Sequence, residues 1–186
     1  MSMRQKRGAM CKAIDVASYI LQEKGRLTGY QLQKLLYYSQ AWCLVTQDRR
    51  LFDEAVRAWD HGPVVCDVFS EHARKYTVVQ SDMSGRPDDL SAEDVAVVDA
   101  VLDSYGSMSG DSIEDLSHHE APWRDAYDGT STWHSPVITD EAMLEYYSLL
   151  MTADRWTQEV HHVPHFSYAP RIFVSDREYD WLASIV

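Results

Sequence analysis

Residues 117–127 read SHHEAPWRDAY and place two histidines, a glutamate, a tryptophan and an arginine within eleven positions. Such a set could hold a metal or transfer protons, or it could begin a helix that a buried tryptophan anchors. Side chains of adjacent helical residues point about 100° apart, so His118 and His119 rarely share a cation. The chain also lacks the HExxH pattern of zinc proteases. Metal binding at this stretch is therefore disfavoured.

A structural interpretation accounts for the same residues. Asp115 or Ser117 can cap a helix that begins near residue 121, and Pro122 suits its first turn, where a missing N–H costs little. Glu120 would lie at the positive end of the helix dipole. One of the two adjacent histidines is expected to hydrogen-bond inward while the other faces solvent. No part of the stretch then requires a catalytic role.

Residues spaced by four lie on the same face of a helix, so the remaining residues of this stretch can be assigned to a buried or an exposed face. Trp123 and Tyr127 are expected to fill the core, whereas Arg124 and Asp128 are expected to pair on the exposed side.

The remaining reactive side chains give no stronger site. His161, His162 and His165 could bind zinc only with a fourth ligand from elsewhere, and Pro164 disfavours a helix between them. The three cysteines lie in or beside apolar stripes and read as small buried residues. There is no P-loop and no GxGxxG motif. We therefore predict no catalytic residue, no metal and no cofactor, and we expect that the chain is not an enzyme.

The charge pattern bears on partners. The 186 residues carry a net charge of −12, with a pI of about 4.9, and phosphate contacts need lysine and arginine, so direct nucleic-acid binding is disfavoured. Residues 88–128 hold twelve acidic residues against one basic residue, Arg124. This stretch is either a solvated face or a landing surface for a basic partner.

Composition also indicates the compartment. The odd number of cysteines, three, and the absence of CxxC argue against a disulfide framework and favour the cytoplasm. The first ten residues make a poor signal peptide, and no run of about 18 apolar residues occurs, so we expect no membrane span.

Apolar stripes and caps predict most of the fold. Helices are expected at residues 11–24, after the Thr28–Gln31 capping box, after Ser91, near 110–117, near 121–128 and after Thr139. Residues 53–59 read as a short extended segment, followed by a turn at His61 and Gly62. Pro63 would then start a helix, residues 80–90 would form a mobile loop, and residues after 152 read as irregular apart from a short helix that could end the chain.

The order of these elements resembles the Panacea domain, also called the SocA-like or GepA-like domain. The resemblance rests on LTGYQLQKLLYYSQAW (27–42), LFDEAVRAWDHGPVV (51–65), the helix ending near residue 106 and LSHHEAPWRDAY (116–127). It implies a mostly helical antitoxin, often phage-borne, that neutralises a toxin by direct protein contact. Toxins of this family belong to several classes, including enzymes that act on nucleotides or tRNA. One branch instead delivers its toxin to a Clp-type protease, and an uncharacterised metal-dependent hydrolase remains a second alternative.

We therefore expect a mainly α, compact single-domain helical bundle with a short β element near 53–59 and an irregular C-terminal extension. The expected parts are a flexible N-terminus (1–10), a Panacea-like helical domain (11–151) and an aromatic-rich extension (152–186) that packs on the domain or a partner. The expected partner is a cognate protein toxin with a basic surface, with which the chain could form a homo- or hetero-oligomer. Predicted contact residues are Asp60, His61, His118, His119, Glu120, Arg124, Trp156, Phe166 and Tyr168. Predicted structural residues are Trp42, Trp59 and Trp123 in the core, Gly62 in a turn, and Pro63 and Pro122 at helix starts.

Overall fold

The computed structural model describes residues 11–166 and confirms a mainly α fold. Eight helices and two small antiparallel strand pairs make up this part of the chain. In chain order the elements are α1 (Ala13–Lys24), β1 (Arg26–Thr28), α2 (Gly29–Gln47), β2 (Val56–Trp59), β3 (Gly62–Val65), α3 (Cys66–His72), β4 (Thr77–Val79), α4 (Ala92–Tyr105), α5 (Gly110–His119), α6 (Ala121–Ala126), α7 (Asp140–Thr152) and α8 (Arg155–Val160). The expected flexible N-terminus and terminal helix lie outside the described residues.

The centre of the fold is α2. Every residue from 32 to 46 is buried, because α1, α4, α5 and α7 pack around this helix. The predicted capping box is present: the Thr28 hydroxyl accepts from the Gln31 N–H at 3.2 Å, and the Gln31 side chain accepts from the Thr28 N–H. Such a cap satisfies two backbone donors at the helix start. The expectation that this helix is buried on most sides is confirmed.

Two strand pairs join the helices. Strand β1 pairs with β4, through Leu27 and Val78 among others. Both strands are three residues long, too short to show an alternating pattern, and neither was predicted. Strand β2 confirms the extended segment near 53–59 and pairs with β3 across a two-residue turn. Residues 136–138 lie on the other side of β2, where the Ala58 N–H donates to the Pro136 carbonyl at 2.9 Å.

Pro63 does not start a helix, and that prediction is wrong. It lies in β3 opposite Ala58, and α3 begins three residues later at Cys66. The Ala58 N–H points away from β3, so the Ala58–Pro63 pair is one that exchanges no backbone hydrogen bonds. A proline is tolerated there because its missing N–H would not have joined the ladder.

The loop at 80–90 is packed rather than free. It contains two short 3-10 turns, Gln80–Asp82 and Pro87–Asp89. Asp15 of α1 anchors it, because its carboxylate accepts from the Arg86 N–H at 2.8 Å. The Ser91 cap of α4 follows as predicted and accepts from the Asp94 N–H at 3.1 Å.

The predicted cap of α6 is wrong. Neither Asp115 nor Ser117 caps this helix; its N-cap residue is Glu120, whose side chain makes no capping bond. Ser117 instead donates to the Glu114 carbonyl at 2.8 Å. Pro122 does lie in the first turn, as predicted. Thr139 caps α7 as expected, through the Ala142 N–H at 3.2 Å.

The described part of the C-terminal extension is not wholly irregular. Asp154 caps the short helix α8 by accepting from the Thr157 N–H at 3.0 Å. After α8 the chain returns to the core, where the Tyr105 hydroxyl donates to the His161 carbonyl at 3.1 Å and Val163 is buried. The proposed boundary near residue 152 remains a prediction.

Candidate functional site

The structure brings together two of the sequence segments singled out above. The turn between β2 and β3 lies against α5 and α6. The Trp123 indole N–H donates to the Trp59 carbonyl at 2.9 Å, and the Tyr127 hydroxyl donates to Asp60 at 2.8 Å. His61 contacts Glu114 of α5 at 3.0 Å. Four of the predicted contact residues, Asp60, His61, His119 and Arg124, therefore lie in this region, and all four are exposed; we call them the hairpin surface.

A buried lysine holds the hairpin turn from below. Lys34 of α2 is fully buried, and its ammonium donates to the His61 carbonyl. Burial lowers the pKa of Lys34 to about 8, and the nearby Glu114 carboxylate opposes this shift. Gly62 has a φ of +90°, and a Cβ there would lie 2.5 Å from the Lys34 Cε atom. The predicted turn is one residue earlier than expected, at Asp60 and His61, and Gly62 is the first residue of β3. The packing of Gly62 against Lys34 leaves no room for a side chain.

Two buried glutamines of α2 also form hydrogen bonds with the backbone of neighbouring segments. Gln33 accepts from the Val65 N–H at 2.8 Å and contacts His72 at 3.0 Å. Gln40 accepts from the Leu51 and Phe52 N–H groups at 2.9 and 3.2 Å. Buried polar groups are costly unless they are hydrogen-bonded. These bonds therefore explain how a helix with polar residues can be buried on all sides while it positions the hairpin.

Glu120 was predicted to contact a partner, which requires an exposed side chain. The structure buries it, so this prediction is wrong. Its carboxyl group is fully buried, and Oε2 accepts from Tyr147 at 2.6 Å and from Tyr38 at 3.1 Å. Oε1 has no hydrogen-bond partner in the described part of the chain. Burial raises the pKa of Glu120 to about 8, against the lowering effect of the Tyr147 and Tyr38 hydroxyls. Tyr37 and Tyr105 complete the aromatic surroundings, and the ring of Tyr105 stacks on Tyr38 at 4.1 Å.

The two adjacent histidines differ, in part as predicted. His118 faces inward and stacks on Trp123 with ring centroids 4.1 Å apart, but its buried Nε2 lacks a hydrogen-bond partner within residues 11–166. Burial lowers the pKa of His118. His119 faces solvent and contacts the Asp115 carbonyl at 2.8 Å. Only His119 is therefore available to a partner through most of its ring.

Arg124 is exposed but does not pair with Asp128, contrary to expectation. Its guanidinium contacts the adjacent Asp125 at 3.1 Å. Trp123 and Tyr127 were predicted to fill the core. Trp123 is buried, whereas Tyr127 is half-buried, and the two rings stack with centroids 4.8 Å apart.

The other two core tryptophans differ from each other. Trp42 is fully buried, as predicted, and donates to the Tyr105 hydroxyl at 3.2 Å. Trp59 is only half-buried; its indole N–H donates to the Thr132 carbonyl at 2.8 Å and one side of the ring lines a groove.

Two of the predicted aromatic contacts of the extension lie within the described residues, and neither of them has a contact with a residue of the hairpin surface among the hydrogen bonds and ring contacts of residues 11–166. Trp156 is 72% exposed on α8. Phe166 is half-buried and its ring lies 6.1 Å from that of Trp42. Tyr168 lies outside the described residues.

The acidic stretch at 88–128 is mostly on the surface. Asp94 and Glu120 are buried, and Asp94 forms an ion pair with Arg49 at 2.6 Å. The exposed carboxylates are Asp88, Asp89, Glu93, Asp99, Asp103, Asp111, Asp115, Asp125 and Asp128. These groups give α4, α5, α6 and the connecting loops a negative surface.

A groove beside the hairpin was not predicted from the sequence. It has a volume of about 370 Å³ and is walled by Tyr30, Trp59, Phe69 and Tyr76, with two cationic residues at 74 and 75. The only hint in the sequence is the run RKY at 74–76, which places an aromatic residue beside two cations in a polar connection.

Two further observations concern ligands and membranes. Within residues 11–166, no group of three or more histidine, cysteine or acidic side chains is arranged to hold a metal ion, and this includes the histidines after α8. None of the helices described here combines the length and hydropathy needed to cross a bilayer.

Comparison with known proteins identifies the family. The family model described as "Antitoxin SocA-like, Panacea domain" matches residues 32–124, which is half of the chain and includes most of α2, the hairpin, α5 and the start of α6. No curated protein and no solved structure shows significant similarity to the chain. The match confirms the resemblance inferred from the sequence motifs, and it supports an antitoxin role. The chain belongs to the SocA-like antitoxin family, whose members share the Panacea domain.

Proposed function

We propose that this chain neutralises a cognate protein toxin by binding it directly, without catalysing a reaction. The observation that supports this most is membership of an antitoxin family whose matched span covers most of the central helix α2 and the whole hairpin. The hairpin surface supports it further. Its turn is held by Lys34 from below and by Trp123 and Tyr127 from the side, so a partner would meet a rigid backbone and would not have to order it.

Charge favours a toxin with a basic surface. The chain has a net charge of −12, and nine carboxylates of the acidic stretch are exposed. Proteins that act on RNA, tRNA or nucleotides need positive charge to hold phosphates, and an oppositely charged inhibitor is steered towards them. We therefore propose a toxin of this class. Asp60 is the one carboxylate among the four residues of the hairpin surface, and Trp156 and Tyr168 are secondary contact candidates.

The three cysteines are compatible with the cytoplasm, where such a toxin would act. Cys11, Cys43 and Cys66 are buried free thiols. Burial raises the pKa of Cys11 and Cys43 to about 12, so their thiols are poorly reactive. We propose no direct contact of this chain with nucleic acid.

A growth assay tests the proposal. The gene adjacent to this chain's own gene is expressed under tight induction, with and without the chain, and the two proteins are then purified through a tag on one of them. We expect the neighbour to arrest growth, the chain to restore it, and the two proteins to co-purify. A harmless neighbour that does not bind would refute the proposal.

The same assay separates inhibition from delivery to a protease. If growth returns because the toxin disappears, and if the toxin remains active in the purified complex, the chain is an adaptor for a Clp-type protease. Toxin that persists at its normal level, inactive and bound, supports direct neutralisation.

A further inference from the structure

We infer that the groove beside the hairpin receives an apolar side chain of the toxin that is flanked by a carboxylate. This inference rests on the proposed function and adds the anchoring site and the chemistry of the toxin segment that fills it. The groove, as defined above, is walled by Tyr30, Trp59, Phe69 and Tyr76. His61 also lines it, so the groove and the hairpin surface share a residue and are continuous.

The walls of the groove are fixed and apolar. The Trp59 ring packs edge-on against Phe69 at 5.0 Å, and its indole N–H is held by the Thr132 carbonyl at 2.8 Å. Phe69 in turn packs against the buried His72 at 5.4 Å. A cleft with walls held in this way can accept a side chain without rearranging, which is typical of anchoring pockets at protein interfaces.

The rim of the groove exposes aromatic side chains. Tyr76 is 79% exposed and Tyr30 is 42% exposed. Single exposed apolar residues need no explanation, but here two tyrosines border the same apolar cleft. Tyrosine is enriched among the residues that dominate binding energy at interfaces. The two rings would cover the inserted side chain and exclude water from it.

The charge of the rim selects the occupant. None of the residues that line the groove is acidic, although the whole chain has 29 acidic and 17 basic residues. Lys75 pairs with Asp82 at 2.5 Å, whereas Arg74 makes no ion pair or hydrogen bond in the described part of the chain. Arg74 also has a φ of +73°, a conformation that costs energy for residues other than glycine. An unpaired guanidinium beside an apolar cleft fits a carboxylate next to an apolar side chain.

This assignment complements the acidic surface elsewhere on the molecule. A toxin that is basic overall would be attracted to the exposed carboxylates, while one acidic and apolar segment of it would be placed at Arg74. Such alternation of sign fixes the orientation of a complex and disfavours other partners.

The test compares groove variants with matched surface variants, using the product of the adjacent gene as the probe. Tyr76→Ala and Arg74→Glu change the groove. Leu149→Ala and Arg86→Glu are the controls, since Leu149 is 60% exposed on α7 and the Arg86 side chain is 74% exposed in the loop before α4. We expect each groove variant to raise the dissociation constant about 10- to 100-fold, as anchoring residues do, and each control to change it less than about twofold. Arg74→Lys should bind the probe more tightly than Arg74→Glu but less tightly than the unaltered chain, because lysine keeps the positive charge and loses the two-pronged contact of a guanidinium with a carboxylate.

The outcomes separate this inference from the proposed function. If the unaltered chain does not bind the probe, the proposed function fails and the inference fails with it. If the unaltered chain binds and the groove variants bind as tightly as the controls, the inference is overturned while the proposed function stands.

Hydrogen exchange in the unaltered complex provides a second measurement that does not depend on the folding of any variant. Backbone amides at 29–33 and 69–76 should exchange more slowly when the toxin is bound, and unchanged exchange there would overturn the inference. A small molecule that co-purifies with the free chain and protects the same amides would overturn it as well, because the groove would then be a ligand site.

Discussion

Replacement of Glu120 by glutamine tests whether a buried acid is kept neutral in the folded chain. The carboxyl group accepts hydrogen bonds from two tyrosines through Oε2 and has no partner for Oε1. Burial raises its pKa from the ordinary value of 4.5 to about 8. A tenfold change in proton affinity corresponds to about 1.4 kcal/mol, so ionisation in the folded state would cost about 5 kcal/mol.

The sign of the pH effect follows from this shift. Below pH 4.5 the acid is neutral in both the folded and the unfolded chain, and its stabilising contribution is complete. Between pH 4.5 and about 8 the unfolded chain loses the proton first, so the free energy of unfolding falls by about 1.4 kcal/mol for each pH unit. Above about pH 8 the loss is complete. Raised pKa values keep the surrounding tyrosines Tyr37, Tyr38, Tyr105 and Tyr147 neutral over this window, and Tyr146 has a pKa of about 12.

Denaturant unfolding of the chain and of Glu120→Gln at several pH values measures the effect. We expect the variant to be about 1 kcal/mol less stable near pH 5, because its amide N–H₂ replaces an oxygen that already lacks a partner. Near pH 8.5 the variant should be more stable than the unaltered chain by roughly 2 to 4 kcal/mol. Subtracting the two curves removes the contributions of the buried histidines.

Glu141→Gln is the control, since it removes the same formal charge from the exposed side of α7. Its stability should follow that of the unaltered chain at every pH, within about 0.5 kcal/mol. If Glu120→Gln also followed the unaltered chain at every pH, Glu120 would not be held as a neutral acid, and the reasoning from its burial would be refuted.

Two further predictions concern the elements that position the hairpin surface. Gly62→Ala should lower the free energy of unfolding by about 2 to 4 kcal/mol, from left-handed strain together with displacement of Lys34. The control Gly129→Ala has a similar φ of +86° but open space around it, so it should lose only about 1 to 2 kcal/mol. Equal losses in chemical denaturation would contradict the contact with Lys34. Thr28→Ala should remove about 1 kcal/mol by deleting the cap of α2, and Thr28→Ser should restore most of it; thermal unfolding of both variants checks this.

Local signals in the sequence were sufficient for most of the helices. The capping boxes at Thr28 and Ser91 depend on side chains three residues away, at Gln31 and Asp94, and such patterns are visible without the fold. The apolar residues that follow each capping box recur with a period that only a helix satisfies. Helix positions were therefore predicted well, and the assignment to an antitoxin family followed from the order of the motifs.

The errors came from contacts that are distant in sequence. Pro63 suits either the first turn of a helix or a strand position whose N–H points away from the ladder. The choice depends on Ala58 bonding to Pro136, which no local pattern shows. Glu120 reads as a surface residue until Tyr38, 82 positions away, and Tyr147, 27 positions away, are placed on it. The groove likewise joins residues 30, 59, 69 and 76 only through the fold.

The burial of α2 has a consequence for the lifetime of the protein. Because its neighbours pack on several sides, removing any one of the helices α1, α4, α5 or α7 exposes part of α2. The free energy needed to open such a centre is close to the free energy of complete unfolding. Proteases that attack transiently open chains would then cleave at a rate set by global stability. The half-life against proteolysis should therefore follow core substitutions closely and surface substitutions hardly at all. Under the proposed function, this half-life sets how long the toxin stays neutralised.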